Sequence, residues 1–338
     1  MDGPEAIAEA VGRLRAGGLV AFPTETVYGL GADARRADAV QRVFETKGRP
    51  SDNPLIVHVS GEAMAALVVR SFTDRAVRLA AAFWPGPLTF VLERSNAIPD
   101  VVTAGGPTVG VRCPDHPLAL ALIESFGGPL VGPSANPSGY ISPTSAAHVL
   151  NHFGQGEVLV LDGGACKAGL ESTVIDLTSA RPRVLRPGIV GVEHLAAVLG
   201  EPVDGWGGNA HGSAIAGQAA KRTASPGLIG PHYQPRAAVV VVGTLEEIND
   251  ALPSGSQSGV VLAPPGTPIT VAPPHTSIPM PVSAHAYASE LYAALRDADD
   301  SGAGVIVVAL PSVETASGSD AAVWAAVRER LGRASGVE

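Results

Sequence analysis

Two stretches near the start of the chain combine anion-gripping side chains with backbone that can lie close to a ligand. Phe22-Pro-Thr-Glu-Thr-Val-Tyr-Gly-Leu-Gly31 runs from the apolar segment Leu19 to Phe22 into hydroxyls, a carboxylate and two glycines. Lys47-Gly-Arg-Pro-Ser-Asp-Asn-Pro54 then packs Lys47, Arg49 and Asn53 between turn-forming prolines. Glycine admits a close backbone approach, and lysine with arginine on a rigid loop suits a phosphate chain. Arginine carries nearly every positive charge, the only lysines being Lys47, Lys167 and Lys221, so an ammonium at 47 stands out. A solvated cationic turn is the structural alternative there, as a capped polar turn is for Thr24, Glu25, Thr26 and Tyr28.

The same theme, a strand ending in a small polar turn, recurs downstream. His58 ends the apolar run Leu55–Val59, where a half-buried, satisfied histidine is the ordinary outcome. Arg112 follows Thr108-Val-Gly-Val, with Pro114 behind it. An arginine at the end of a buried strand needs an anion, either a ligand carboxylate or a protein one. Gly132-Pro-Ser-Ala-Asn-Pro137 offers Ser134 and Asn136 as donors to phosphate or sugar oxygens, or as turn closers. Glu171-Ser-Thr-Val-Ile-Asp176 and Val184-Leu-Arg-Pro-Gly188 repeat the pattern. The repetition carries the inference.

Around these residues the chain reads as two α/β domains. Its 338 residues suffice for two cores, and 46% hydrophobic with 16% charged residues is globular composition. Pro4, the apolar face Ile7, Val11 and Leu14, and the stop Gly17-Gly18 predict an opening helix. Strands are predicted at Leu19–Phe22, Leu55–Val59, Leu88–Leu92, Thr108–Val111, Leu130–Gly132, Val158–Leu161, Thr173–Leu177 and Arg183–Leu185. Helices are predicted over Ala37–Glu45, Thr73–Ala82, Pro117–Ser125 and Val192–Leu199, giving a sheet that is not purely parallel. Residues 1–202 form this first domain. Residues 203–236 read as a linker, closing on Ser225-Pro-Gly-Leu-Ile-Gly-Pro-His-Tyr-Gln-Pro235. In residues 237–338, strands at Ala238–Val242, Val260–Ala263 and Val305–Leu310 with helices near Ser289–Ala298 and Ala321–Leu331 suggest a smaller βαβ-like domain.

A formal net charge of −9 argues against holding nucleic acid by bulk electrostatics. Cys113 and Cys166 lack disulfide-framework or metal-ligand spacing and read as buried spectator thiols. No signal-peptide pattern opens the chain and no apolar run could span a bilayer, so a cytoplasmic protein is expected. Walker loops, G-x-G-x-x-G fingerprints, His/Cys metal sets and G-x-S-x-G elbows are all missing from the sequence. From the residues alone, this is an anion- or nucleotide-binding α/β protein with an appended domain.

Taken in order, Phe22–Asp33, Lys47–His58, Trp84-Pro-Gly-Pro-Leu-Thr89, Thr108–Pro114, Pro133–Asn136, Glu171–Asp176 and Leu185–Gly188 resemble the YrdC/YciO family. Ser225–Pro235 resembles the S-P-G…H-Y-x-P signature of that family's long, two-domain form. The resemblance implies a twisted mixed sheet around a large, electropositive central cavity, a linker that folds over it as a lid, and a Rossmann-like C-terminal domain. It implies synthesis of L-threonylcarbamoyladenylate from L-threonine, bicarbonate and ATP, with magnesium accompanying ATP and pyrophosphate released. The product feeds transferase proteins that modify tRNA beside the anticodon.

By the same resemblance, Thr26, His58, Arg112 and Ser172 hold threonine, with Arg112 on its carboxylate. Arg49, Asn53, Thr108, Ser134 and Arg186 hold ATP, Lys47 and Asn136 lie close to its phosphates, and Tyr233 covers the nucleotide. Lys47 and Arg49 would do the electrostatic work of catalysis, with no metal held by protein side chains. Where relatives carry basic or aromatic lid residues, this chain has Leu228-Ile-Gly-Pro231. An RNA-binding or ribosome-assembly factor is one competing reading, disfavoured by the net charge. A carbamoyl-adenylate enzyme with another acceptor is a second, disfavoured because such enzymes carry further fused catalytic domains.

Overall fold

The structure, a computed structural model, describes residues 3–154, 156–207, 232–264, 269–310 and 318–336. The first half builds a nine-stranded mixed sheet in the order β7-β1-β2-β6-β3-β5-β4-β8-β9. Its strands are β1 (Leu19–Phe22), β2 (Gly29–Asp33), β3 (Ile56–His58), β4 (Leu88–Glu93), β5 (Thr108–Arg112), β6 (Leu130–Val131), β7 (Val158–Val160), β8 (Thr173–Asp176) and β9 (Arg183–Arg186). Helices α1 (Gly3–Arg15) and α5 (Pro117–Phe126) pack together on β1 through Leu14, Val20, Phe22 and Leu122. A larger core joins α2 (Ala37–Lys47), α3 (Glu62–Val68), α4 (Asp74–Phe83), α6 (Ala146–Leu150) and α7 (Val192–Leu199) to the sheet.

Every strand anticipated from the apolar runs is present. The additional strand β2 carries two glycines, Gly29 and Gly31, and lacks a hydrophobic signature. It pairs antiparallel with β1, Val20 opposite Gly31 and Phe22 opposite Gly29. The Phe22 ring lies over both glycines, 3.0 Å from where a Cβ would stand on either. A β-branched residue, the usual mark of a strand, would displace that ring.

Lys47 is the last residue of α2 rather than part of a loop, and Gly48 ends the helix at φ 57° with its N–H on Glu45 and Phe44 carbonyls. The first domain also continues past residue 202. Val203 is buried in its core, and Asp204 exchanges backbone hydrogen bonds with Pro182 and Val184 beside β9. The lid and linker expectation over 208–231, including the 228–231 stretch, lies outside the described residues.

The second sheet is four-stranded and wholly parallel, in the order β10-β13-β11-β12: β10 (Ala238–Val242), β11 (Gly259–Ala263), β12 (Thr276–Pro279) and β13 (Val305–Ala309). β12 escaped expectation because its Thr-Ser-Ile-Pro run is mostly exposed edge. Helix α8 (Leu245–Ala251) opens on a capping box of Thr244 and Glu247. Helices α9 (Ala284–Asp300) and α10 (Gly318–Ser335) are longer than their apolar stripes suggested.

The two domains share a core. Val27, Ile141 and Leu170 of the first pack in one apolar cluster with Tyr287, Leu291, Tyr292, Val323 and Val327 of the second. Contact is closest at Gly169, where a Cβ would stand 2.4 Å from the Ser289 Cα, and where φ is +68°. Gly169→Ala combines a left-handed backbone cost of about 1–2 kcal/mol with displacement of α9. Its thermal unfolding midpoint is expected to fall by several degrees; an unchanged midpoint would show that the two backbones are not in contact.

Candidate functional site

Six strand ends converge on one small chamber. Parallel pairing of β3 with β5 sets His58 directly opposite Arg112. The turn after β1 brings in Thr26, the turn after β6 brings in Ser134, and the adjoining ends of β8 and β9 supply Ser172 and Arg186. Arg49 closes one side, and His232 with Tyr233 closes another. The chamber measures about 50 Å³.

The turn after β1 is held by Thr24, whose hydroxyl donates to the Val27 carbonyl at 2.6 Å and accepts from the Thr26 and Val27 N–H groups. That arrangement aims the Thr26 hydroxyl at Arg112, whose Nη1 donates to it at 2.8 Å. Arg112 also donates from Nε to the Gly86 carbonyl and forms a 2.7 Å ion pair with Glu25. Both members are buried, which satisfies the sequence requirement for an anion with a protein carboxylate. Glu25 in turn accepts the Asp115 N–H at 3.1 Å.

His58 is buried with its ring edge against Phe22, 5.5 Å between centroids, and its Nδ1 has no hydrogen-bond partner. Burial, and then the neighbouring Arg112 charge, depress its pKa to about 3, so the ring is neutral at physiological pH. On the other side Ser172 shares a hydrogen bond with Thr89 at 2.8 Å. Arg186 donates to both the carbonyl and the hydroxyl of Ser172 at 3.1 and 3.2 Å.

The remaining expected residues divide by position. Arg49 lines the chamber while its guanidinium is braced by Asn53 Oδ1 at 2.7 Å and the Pro54 carbonyl at 2.9 Å; burial lowers its pKa to about 10. Asn53 itself faces a separate cavity of about 980 Å³ between the domains, walled by Asp52, Tyr140, Gln234 and Arg296. Lys47 stands behind the chamber wall: its buried ammonium donates to the carbonyls of Ser134, at 2.5 Å, and Asn136. Burial and then Arg49 hold its pKa well below the ordinary lysine value. Asn136 spends its amide on the Pro137 and Tyr140 carbonyls at 2.7 and 2.9 Å, closing the turn. Thr108 lies outside both cavities, four residues before Arg112 on β5 and toward the end where the 49–55 loop enters β3. The described residues thus line a small inner chamber and a separate, larger interdomain space.

Tyr233 lines the chamber with φ +63°. Its ring stacks on Tyr292 at 5.5 Å, and burial pushes its pKa upward. Sequence reasoning assigned no role to Glu171, Tyr292 or Arg330. Glu171 lines the chamber and accepts hydrogen bonds from Ser142 at 2.6 Å, Tyr292 at 2.9 Å and Arg330 at 3.0 Å. Three guanidinium groups against one carboxylate make the lining positive, a surface fit for phosphate or carboxylate oxygens.

With this geometry, the comparisons with known proteins are decisive. Residues 13–188 match the Sua5/YciO/YrdC family model, described as telomere recombination, and residues 190–336 match the threonylcarbamoyl-AMP synthase C-terminal domain. The chain belongs to the Sua5/YciO/YrdC family. The threonylcarbamoyl-AMP synthase of Bacillus subtilis is 38% identical over 336 residues, 98% of this chain and 93% of that protein. Its counterpart from Pyrococcus abyssi is 47% identical over 233 residues, covering 69% of this chain and 66% of that one. A crystal structure of P. abyssi Sua5 complexed with L-threonine superposes with a TM-score of 0.82 at 39% identity, covering 98% and 94% of the two chains.

The buried histidine yields a pH test. Above pH of about 6.5 His58 is neutral whether folded or unfolded and contributes no pH dependence. Below that, the unfolded chain binds a proton that the folded chain refuses until its own pKa of about 3. Stability is therefore lost as pH falls through this window, by up to ~1.4 kcal/mol per pH unit for each such group. His232, also depressed to about 3, and His152, to about 4, act in the same sense. His58→Gln should flatten the decline measured by denaturant unfolding between pH 6.5 and 4; an unchanged slope would mean that His58 titrates normally.

Proposed function

We propose that the chamber condenses L-threonine, bicarbonate and ATP to L-threonylcarbamoyladenylate, releasing pyrophosphate, as the first step of threonylcarbamoyl-adenosine formation in tRNA. The observation that carries this reading is a desolvated Arg112 beside Thr26, His58 and Ser172, in a chain that aligns over nearly its whole length with a threonylcarbamoyl-AMP synthase. Arg112 is read as the carboxylate anchor, with threonine's carboxylate joining Glu25 on the guanidinium. Neutral His58 and the hydroxyls of Thr26 and Ser172 can then meet an amino acid's polar groups without adding charge.

The threonine amine, once deprotonated, attacks bicarbonate; a C–N bond forms, water leaves and a carbamate results. A carbamate oxygen then attacks the α-phosphorus of ATP, and the bond from that phosphorus to the β-bridging oxygen breaks. Negative charge moves onto the departing pyrophosphate. Arg49 and Arg186 are read as the groups that stabilise it, with Lys47 acting through the Ser134–Asn136 turn that it holds. Magnesium enters as part of the MgATP substrate. A carbamate decomposes in water, so a dry chamber serves the chemistry better than a strong base.

A chamber of about 50 Å³ is smaller than the substrates, so His232 and Tyr233 must shift for ATP to enter, which fits Tyr233 as the residue that covers the nucleotide. The interdomain cavity, which shares the 48–53 loop with the chamber, is read as the nucleotide's approach. The all-parallel second sheet is read as Rossmann-like. The downstream partner is a transferase that takes the adenylate to tRNA. No described helix is long and apolar enough to cross a membrane, and a cytoplasmic setting fits the ATP chemistry.

ATP–pyrophosphate exchange tests the reading: it should require both threonine and bicarbonate. Exchange without threonine, or with another acceptor in its place, would overturn it. Arg112→Ala should raise the KM for threonine by roughly 30- to 1000-fold, corresponding to about 2–4 kcal/mol for a lost charge-assisted pair. Unchanged threonine saturation with weakened ATP binding would remove Arg112 from the threonine site.

A further inference from the structure

We propose that Arg330, on the last helix of the C-terminal domain, is a positioning residue that ties together the two strand ends carrying Ser172 and Arg186. It rests on the reading of those two residues as substrate contacts. Arg330 is 1% exposed and comes from α10, 159 residues away in sequence from its main partner Glu171. Its Nε donates to Glu171 Oε2 at 3.0 Å, and its Nη1 to the Pro187 carbonyl at 2.9 Å. Glu171 directly precedes Ser172, and Pro187 directly follows Arg186. Because β8 and β9 run antiparallel, these neighbours face each other across the end of the hairpin. One planar guanidinium therefore clamps both sides of the Ser172–Arg186 contact.

The same group reaches the lid tyrosine. Arg330 lies 5.7 Å from the centre of the Tyr233 ring, which is also stacked on Tyr292. Tyr292, from α9, donates its hydroxyl to the carboxylate oxygen that Arg330 contacts. Glu171 cannot serve as a free base here. Burial opposes its ionisation, yet Arg330, then Arg186 and the Ser142 hydroxyl, bring its pKa down to about 2. Glu329 contacts the same Nη1 at 2.6 Å and Nη2 reaches the Glu171 carbonyl at 3.4 Å, so the guanidinium is spent within the protein and acts on substrates through what it holds. The C-terminal domain thus supplies a brace without which two walls of the chamber and the covering ring lose their common anchor.

A buried ion pair could also be mere glue between domains, and the test separates the two. Full-length wild type, Arg330→Met, Arg330→Lys, Glu171→Gln and the Arg330→Met/Glu171→Gln double variant are compared by thermal unfolding and by exchange kinetics. Arg330→Met strands a buried carboxylate, so its unfolding midpoint should fall. Adding Glu171→Gln removes that charge and should recover most of the midpoint. Positioning predicts that kcat/KM for ATP nonetheless stays at least tenfold down in the double variant. Arg330→Lys keeps the charge but offers no fork to span Glu171 and Pro187, and should lose threefold or more. Activity within twofold of wild type in Arg330→Met, or activity returning along with the midpoint in the double variant, would overturn the proposal. If Arg330→Met does not fold, Arg330→Lys and the double variant decide. A wild type without exchange would instead count against the functional reading. ATP affinity by calorimetry on the same proteins would then test the brace, expected to weaken tenfold in the double variant and overturned if equal.

Discussion

The structure depends on keeping several cations out of water at once. Arg49, Arg112, Arg186 and Lys47 are all more than nine-tenths buried around one chamber. Withdrawing each from solvent costs several kcal/mol unless its protons find acceptors. The chain answers with backbone carbonyls at strand and helix ends: Pro54 for Arg49, Gly86 for Arg112, Ser172 for Arg186, Ser134 and Asn136 for Lys47. Carbonyls neutralise geometry without neutralising charge. The chamber therefore stays electropositive, with its cations already dehydrated and fixed, which is what a site needs to meet phosphate and carboxylate without reorganising.

Two carboxylates complete the balance, and they differ in origin. Glu25 sits three residues beyond β1 and pairs with Arg112 from within the first domain. Glu171 is balanced by Arg330 from the second domain. The first pair is one that a single domain could assemble alone. The second makes the opposite wall an interdomain construction, continuous with the shared apolar cluster around Val27, Leu170 and Tyr292. An aqueous gap between the domains would expose the Glu171–Arg330 pair to water.

Neutral polar groups fill the rest of the lining. His58 and His232 are held uncharged by burial and by neighbouring arginines, so they add shape and hydrogen-bonding capacity without further repulsion. Among so many cations a charged imidazole would be costly. The same arrangement makes the fold acid-sensitive, since the energy that keeps those rings neutral is returned when the unfolded chain takes up protons.

Much of this was written locally. The apolar runs at Leu19–Phe22, Leu88–Leu92 and Val305–Leu310 specify strands by themselves, and the recurring strand-then-polar-turn pattern pointed to the turns that hold Thr26, Arg112, Ser134, Ser172 and Arg186, while the role of each residue came from the family resemblance. Side-chain type and local backbone preference are properties of neighbouring residues, and a sequence displays them. Strand β2 escaped because Gly29 and Gly31 owe their extended form to pairing with β1 and to the ring of Phe22, not to their own propensity. Which of the marked residues face the chamber was likewise a matter of register and packing. Parallel pairing sets His58 against Arg112, while Lys47 and Asn136 turn their donors to nearby carbonyls. Glu171, Tyr292 and Arg330 lie 121 and 159 positions apart in the chain, and only burial of the interdomain surface makes them neighbours. Chemistry of the site is thus local in the sequence, whereas its geometry is not, because desolvation and charge pairing act through space.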